Sequence, residues 1–181
     1  MGALWTDEIL RALKFIFNKR KVYYNVIPCD YLRHVKADKF PICLVVNQSP
    51  SSSVGSHWLA VYVPCSSGPM YFVDSYGLGI NYFSPEFIAF AKRLNVPVVE
   101  NIKQLQCEYA ETCGYYAIYF LSRLYYGCGL MSLYHHFSRD LCNNDKKVES
   151  YCKRHYMKAK LGRHNGTNLR QCCTPFDKNL M

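Results

Sequence analysis

The apolar positions fall into short blocks of two kinds. Ile9, Leu10, Leu13, Ile16 and Phe17 recur at helical spacing, with Thr6 placed as an N-cap and Lys19-Arg20-Lys21 at the end where the helix dipole favours cations. This predicts a short amphipathic helix. Val22–Val26, Ile42–Val46, Trp58–Val63 and Met70–Val73 are runs of β-branched and aromatic residues bounded by Pro28, the Ser49–Ser56 stretch and Ser66-Ser67-Gly68-Pro69. They predict strands, the last two joined as a hairpin. Ser84-Pro85-Glu86 reads as an N-cap, an N1 proline and a first-turn acid ahead of Phe87, Ile88, Ala91 and Leu94; Asn95 and Pro97 stop that helix. Val96–Val99 predicts a further strand. Cys113–Tyr126 is apolar on every side, as a buried central helix is, and the chain from about residue 143 reads as helical and basic. The order of elements predicts an α+β fold, and 181 residues without repeat or linker predict one domain spanning 1–181.

Composition narrows the class. Half of the residues are apolar and 15% aromatic, which excludes global disorder. The net charge of +9 favours polyanions, nucleic acid first. Residues 143–181 carry +6 of it: Lys146, Lys147, Lys153, Arg154, Lys158, Lys160, Arg163, Arg170 and Lys178 stand against Asp145, Glu149 and Asp177. The ten cysteines include no C-x-x-C pair, and His135-His136 has no cysteine at finger spacing, so no structural zinc is expected. No secretory pattern opens the chain, so reduced thiols and an intracellular site are expected. No apolar run approaches the ~18 residues of a membrane span, so no membrane partner is expected.

Nine of the cysteines read as small core residues. Cys113 stands apart, because it opens the central helix in Glu111-Thr112-Cys113-Gly114-Tyr115, where backbone N–H groups and the helix dipole favour a thiolate. Gly114 removes bulk beside the sulfur, so that a substrate backbone can approach. A thiolate nucleophile needs a basic partner and a group that orients it. His57 begins one strand of the predicted hairpin and Asp74 ends the other, which brings both side chains to one sheet edge. Singly, each is more often a structural residue; in this order, with Cys113, they read as a triad. Gln106, seven residues before Cys113, is the candidate oxyanion donor, with Gln104 its competitor. Trp58 is placed to cap the imidazole and wall a narrow substrate channel.

Gly55-Ser56-His57-Trp58-Leu59-Ala60, Tyr71-Phe72-Val73-Asp74-Ser75-Tyr76-Gly77, Gln104-Leu105-Gln106 and Thr112-Cys113-Gly114-Tyr115-Tyr116 resemble the adenovirus-type cysteine endopeptidases (adenain) and their relatives in adenovirus-like viruses and self-synthesising transposons. The order His, acid, Gln, Cys is that of the permuted papain-like group, which also holds the proteases that process ubiquitin-like proteins. The motifs cover about residues 40–130. The resemblance implies Cys113 as nucleophile, His57 as base, Asp74 as third member and Gln106 in the oxyanion hole. The viral enzymes commonly carry Glu where Asp74 stands, so this position lies nearer the ubiquitin-like-protease pattern. The resemblance further implies protein substrates, namely capsid or core precursors cut near glycines, no cofactor for the chemistry itself, and a host-nucleus and virion location if the element is viral. It also implies stimulation by DNA and by an activating peptide linked through a cysteine upstream of the Gln. Between Gly68 and Gln106 there is no cysteine, and Asn95 falls near the expected place. The competing readings are an isopeptidase for ubiquitin-like modifiers, an acyltransferase built on similar residues, and a catalytically silent basic module that binds DNA.

Overall fold

β2 (Ile42–Asn47) and β3 (Trp58–Val63) are buried along almost their whole length, and the rest of the fold is laid on their two faces. The computed structural model describes residues 2–157. With β1 (Tyr23–Pro28), β4 (Met70–Val73) and β5 (Val98–Glu100) these strands form one five-stranded sheet in the order β1-β2-β3-β4-β5. The centre, β2-β3-β4, is antiparallel, and the predicted hairpin pairs Val61 with Phe72. The flanking pairs β1-β2 and β4-β5 are parallel. Parallel neighbours need a crossover. The first runs through a 3-10 turn at Cys29–His34, the second through α2 (Pro85–Leu94).

Alternation along the strands sorts the core into two layers. Cys43, Val45, Ala60, Tyr62 and Val73 face α1 (Thr6–Ile16), α3 (Cys113–Tyr125) and α5 (Leu141–Tyr156). Ile42, Leu44, Leu59, Val61, Met70 and Phe72 face the 3-10 turn and α2. Helices on both faces explain why the central strands lack a polar side. The α3 helix is buried through Leu124, so it is a helix of the interior, as its uniform apolarity predicts. A short α4 (Leu130–Tyr134) links it to α5.

The strands expected at Val22–Val26 and Val96–Val99 run Tyr23–Pro28 and Val98–Glu100, and of the two expected helix caps one holds. Ser84 caps α2, its Oγ accepting from Glu86 N at 3.4 Å, and Asn95 ends that helix in the left-handed region at φ 54°. At α1, however, Thr6 is the first helical residue and Trp5 is the cap; the Trp5 N–H donates to Glu8 Oε2 at 2.9 Å. The Glu8 and Ile9 N–H groups, which a threonine cap would serve, both donate to Trp5 O at 3.1 Å. No helix among the described residues is long and apolar enough to cross a membrane. Of the nine basic residues from 143 onward, Lys146, Lys147, Lys153 and Arg154 lie on α5; the remainder, with Cys172 and Cys173, lie outside the described residues.

Phe120, fully buried on α3, packs edge-on to Tyr119 and stacks on Phe137. Phe120→Ala is expected to destabilise the fold by about 3–5 kcal/mol, read as a lower midpoint in urea unfolding.

Candidate active site

The β3-β4 hairpin sets the first part of the site. His57 immediately precedes β3 and Asp74 immediately follows β4, so antiparallel pairing brings them side by side at the end of the sheet. His57 Nε2 lies 2.6 Å from Asp74 Oδ1, with both side chains buried. Asp74 is held from all sides: the N–H groups of Tyr76 (3.2 Å) and Leu78 (2.9 Å) donate to its carboxylate. Its main chain is gripped by Asn101, whose Oδ1 accepts from Asp74 N at 2.7 Å while its Nδ2 donates to Asp74 O at 2.6 Å. A fully buried carboxylate is stable only when so completely hydrogen-bonded.

Nε2 is committed to Asp74, and Cys113 lies near enough to the imidazole for its thiol and its charge to act on the His57 pKa. Burial by itself would lower the His57 pKa. The hydrogen bonds to Asp74 and to Cys113, and the charge of both groups, outweigh it and hold the value up to about 9. Tyr76 and Phe83 flank the ring, with centroids at 5.1 and 6.1 Å. These two rings hold the place expected of Trp58. The Trp58 indole N–H instead donates to Leu4 O at 3.1 Å, and its ring lines the cleft.

Cys113 is the first residue of α3. Thr112, the capping residue, turns its hydroxyl to Asp145 Oδ1 at 2.8 Å and makes no cap bond; the Cys113 N–H, the first of the helix, has no intrahelical acceptor. Asp145 also accepts from Cys107 N at 3.1 Å, and Asn144 Nδ2 donates to Leu105 O at 3.2 Å. Two neighbouring α5 side chains therefore hold the loop from Leu105 to Thr112. Near its start Cys107 Sγ lies 3.0 Å from Cys142 Sγ. Gly77 lets the chain just ahead of this loop approach the Asp74 turn: its φ is 69°, and a Cβ would stand 2.6 Å from the Lys103 carbonyl carbon.

Gln106 is buried beside this turn. Ser75 Oγ donates to its Oε1 at 2.6 Å, and its Nε2 donates to Tyr76 Oη at 3.1 Å and to Ala110 O. Gln104 donates to Gln106 O, and it is Gln106 that borders the cleft. Gly114 departs from its expected part. It is buried against Leu4 and Ile9, where a Cβ would meet Leu4 Cβ at 3.1 Å, and it lies outside the cleft lining. Its smallness admits the N-terminal segment, because the open side of the helix start is filled by residues 4–9.

His57, Cys113 and Gln106 all face one cleft of about 920 Å³, walled by residues 3–6, Trp58, Tyr76 and the loop 106–113. An imidazole oriented by a carboxylate can take the proton of an adjacent thiol and return it to a leaving group. Asn101, Ser75, Tyr76, Asn144 and Asp145 complete the arrangement. Of these, Ser75 and Tyr76 stand inside the motif around Asp74 and were within reach of the sequence; the other three are lone polar residues whose roles appear only in the contacts.

No family model matches the chain, and no curated protein sequence matches it. Among solved structures it is similar to SUMO protease Ulp1 with its catalytic cysteine oxidised to a sulfinic acid, at 13% identity and a TM-score of 0.52, over 86% of this chain and 80% of that one. A second similar structure is AvrA with IP6 and CoA, at 14% identity and a TM-score of 0.41, over 77% of this chain and 57% of that one. The chain thus has a mixed α+β fold of the Ulp1 papain-like type.

The raised pKa of His57 has a defined pH consequence. The folded value lies above the ordinary one of 6.5, so the protonated imidazole contributes stability in full below about 6.5 and loses it as pH rises through about 9. The NMR titration of His57 should therefore show a midpoint near 9, moved downward in Asp74→Asn. A midpoint at or below 6.5 in the unaltered protein would contradict the pairing.

Proposed function

We propose that the chain is a cysteine endopeptidase with Cys113 as nucleophile, His57 as base and Asp74 as the group that orients it. The observation that carries this reading is the buried His57–Asp74 bond of 2.6 Å beside Cys113, which lines the same cleft and acts on the His57 pKa. Cys113, a thiolate paired with the protonated His57, attacks the substrate carbonyl carbon. The tetrahedral oxyanion forms beside the Cys113 N–H at the start of α3 and the Gln106 side of the cleft. Collapse expels the amine with the proton from His57 and leaves a thioester. Water, deprotonated by His57, releases the acid and restores the thiol.

The cleft suits a polypeptide. Trp5, Val54, Tyr82 and Tyr109 line it as large, exposed apolar side chains, a rim able to take up apolar positions of a substrate. The Trp58 wall and the N-terminal segment crowd the approach to Cys113, which favours glycine next to the cleaved bond. Capsid or core precursors with such sites are the substrates that the motif resemblance suggests, and DNA is the activator that the +9 charge suggests. Processing of a diglycine-ended ubiquitin-like modifier is the second reading, favoured by aspartate at position 74 and by the Ulp1 type of fold.

The test is hydrolysis of internally quenched peptides with Gly-Gly or Ala-Ala at the cut site, beside modifier fusions ending in Gly-Gly. Internal Gly-Gly peptides should be cut, Ala-Ala peptides far more slowly, and Cys113→Ala should lose roughly 10⁴-fold or more. A DNA oligonucleotide should raise the rate, and added salt should abolish the increase. Cleavage confined to the modifier fusions would select the second reading. Folded protein that cuts nothing but binds DNA equally well as Cys113→Ala would leave only a binding module.

A further inference from the structure

Two cysteines leave the core role expected of them. Cys107 is half-buried in the loop between Gln106 and Thr112, and Cys142 is exposed in the first turn of α5. Their sulfurs meet at 3.0 Å, the Cys142 S–H donating to Cys107 Sγ across 35 positions of sequence. Cys29, Cys43 and Cys152 are buried, and burial pushes their thiol pKa values up. Cys65 is exposed, with its sulfur 3.7 Å from Ser67 Oγ. Among the described residues no other two free thiols are in contact.

Bonds that do not involve sulfur hold the two segments in this register. Asp145 Oδ2 accepts from Cys107 N at 3.1 Å, and Asn144 Nδ2 donates to Leu105 O at 3.2 Å; both residues lie within three positions of Cys142 on the same helix. The start of that helix is itself fixed, because Asp140 Oδ1 accepts from Asn143 N at 3.0 Å. The sulfurs therefore meet between backbones already clamped together. A disulfide needs them only about 1 Å closer. Cys142 is open to solvent, so a small oxidant can reach it.

We propose that Cys107 and Cys142 form a redox modification site, which a small disulfide of the oxidised-glutathione class converts into a latch fastening the loop after Gln106 to α5. Cys142, as its thiolate, attacks one sulfur of the small disulfide; that S–S bond breaks, and the first glutathione leaves as a thiolate that takes up the proton Cys142 gave to solvent. Cys107 then loses its proton, attacks the Cys142 sulfur and expels the second glutathione, which is protonated in turn. Two protein thiols lose two electrons, and the oxidant is reduced to two thiols. The hydrogen bond to Cys107 pushes the Cys142 thiol pKa up, with partial desolvation and the charges of Cys107, Asp140 and Asp145 adding to it, so the exchange quickens as pH rises. The closed ring runs from 107 to 142 and encloses α3 and α4, which restrains the unfolded chain and resists opening of the loop. Cys113 takes no part, so the latch stands whether or not Cys113 hydrolyses peptides.

The test treats the full chain with excess oxidised glutathione at about pH 8, blocks the remaining thiols with N-ethylmaleimide, and maps the unreduced digest by mass. A peptide pair joined through Cys107 and Cys142 is expected. The thermal midpoint should rise by about 5–10 °C and fall back on addition of dithiothreitol. Chymotryptic cutting after Tyr109, which is 93% exposed within the latched loop, should slow in the oxidised protein. Cys142→Ser changes an exposed position, so its midpoint should match that of the reduced protein within about 2 °C, with neither the bond nor the oxidant-induced shift. Cys107 and Cys142 each capped by glutathione, left free, or joined to other cysteines would overturn the proposal. A Cys107–Cys142 bond that leaves both the midpoint and the Tyr109 cut unchanged would overturn the latch, as would an equal shift in Cys142→Ser.

Discussion

The interaction on which the site depends is the 2.6 Å hydrogen bond between His57 and Asp74. Both side chains are buried, and an aspartate without exposure to water must be compensated by the protein itself. The sheet supplies part of that compensation by ending β4 one residue before Asp74, so that the following turn folds its N–H groups back onto the carboxylate. Asn101 fixes the turn itself by clamping the Asp74 main chain from the strand-to-loop connection after β5. The imidazole is thereby fixed at one nitrogen, on the cleft that Cys113 also lines.

The same constraint reaches the opposite wall of the cleft. Asp74, Ser75 and Tyr76 are consecutive, and they hold His57, the Gln106 carbonyl and the Gln106 amide in turn. His57 and Gln106 are therefore held by one turn. On the far side, Asn144 and Asp145 of α5 bind Leu105, Cys107 and Thr112, which sets the length of loop between Gln106 and the start of α3. Cys113 is placed by a buried helix, His57 by a buried hairpin, and α5 fastens the loop between them.

How far this could be read beforehand follows from the kind of signal each part carries. The central strands and α3 were legible because they are buried on every side, and His57 and Asp74 because a hairpin of this length has one sensible register. The parallel flanks were not, since strand direction at an edge is decided by the crossover and not by the strand. The 3-10 turns and α4 are too short to show a period. Gly114 was read as an opening for substrate, whereas chain packing fills it with Leu4. Trp58 was assigned to the imidazole, but an aromatic side chain next to a histidine in sequence points to the other side of a strand, and Tyr76 and Phe83 flank the ring instead. Polar residues such as Asn101 and Asp145 have no periodic signature at all; only the loops they join reveal what they do.

The most direct measurement of the central claim is the covalent intermediate. Protein mixed with a Gly-Gly ester substrate, quenched in acid during turnover and examined by intact mass and peptide mapping, should carry one acyl group on Cys113. Asp74→Asn should accumulate it more slowly, and His57→Ala should show none on the same timescale. Turnover with no acyl group at Cys113, or acylation that proceeds equally well without His57, would contradict the account.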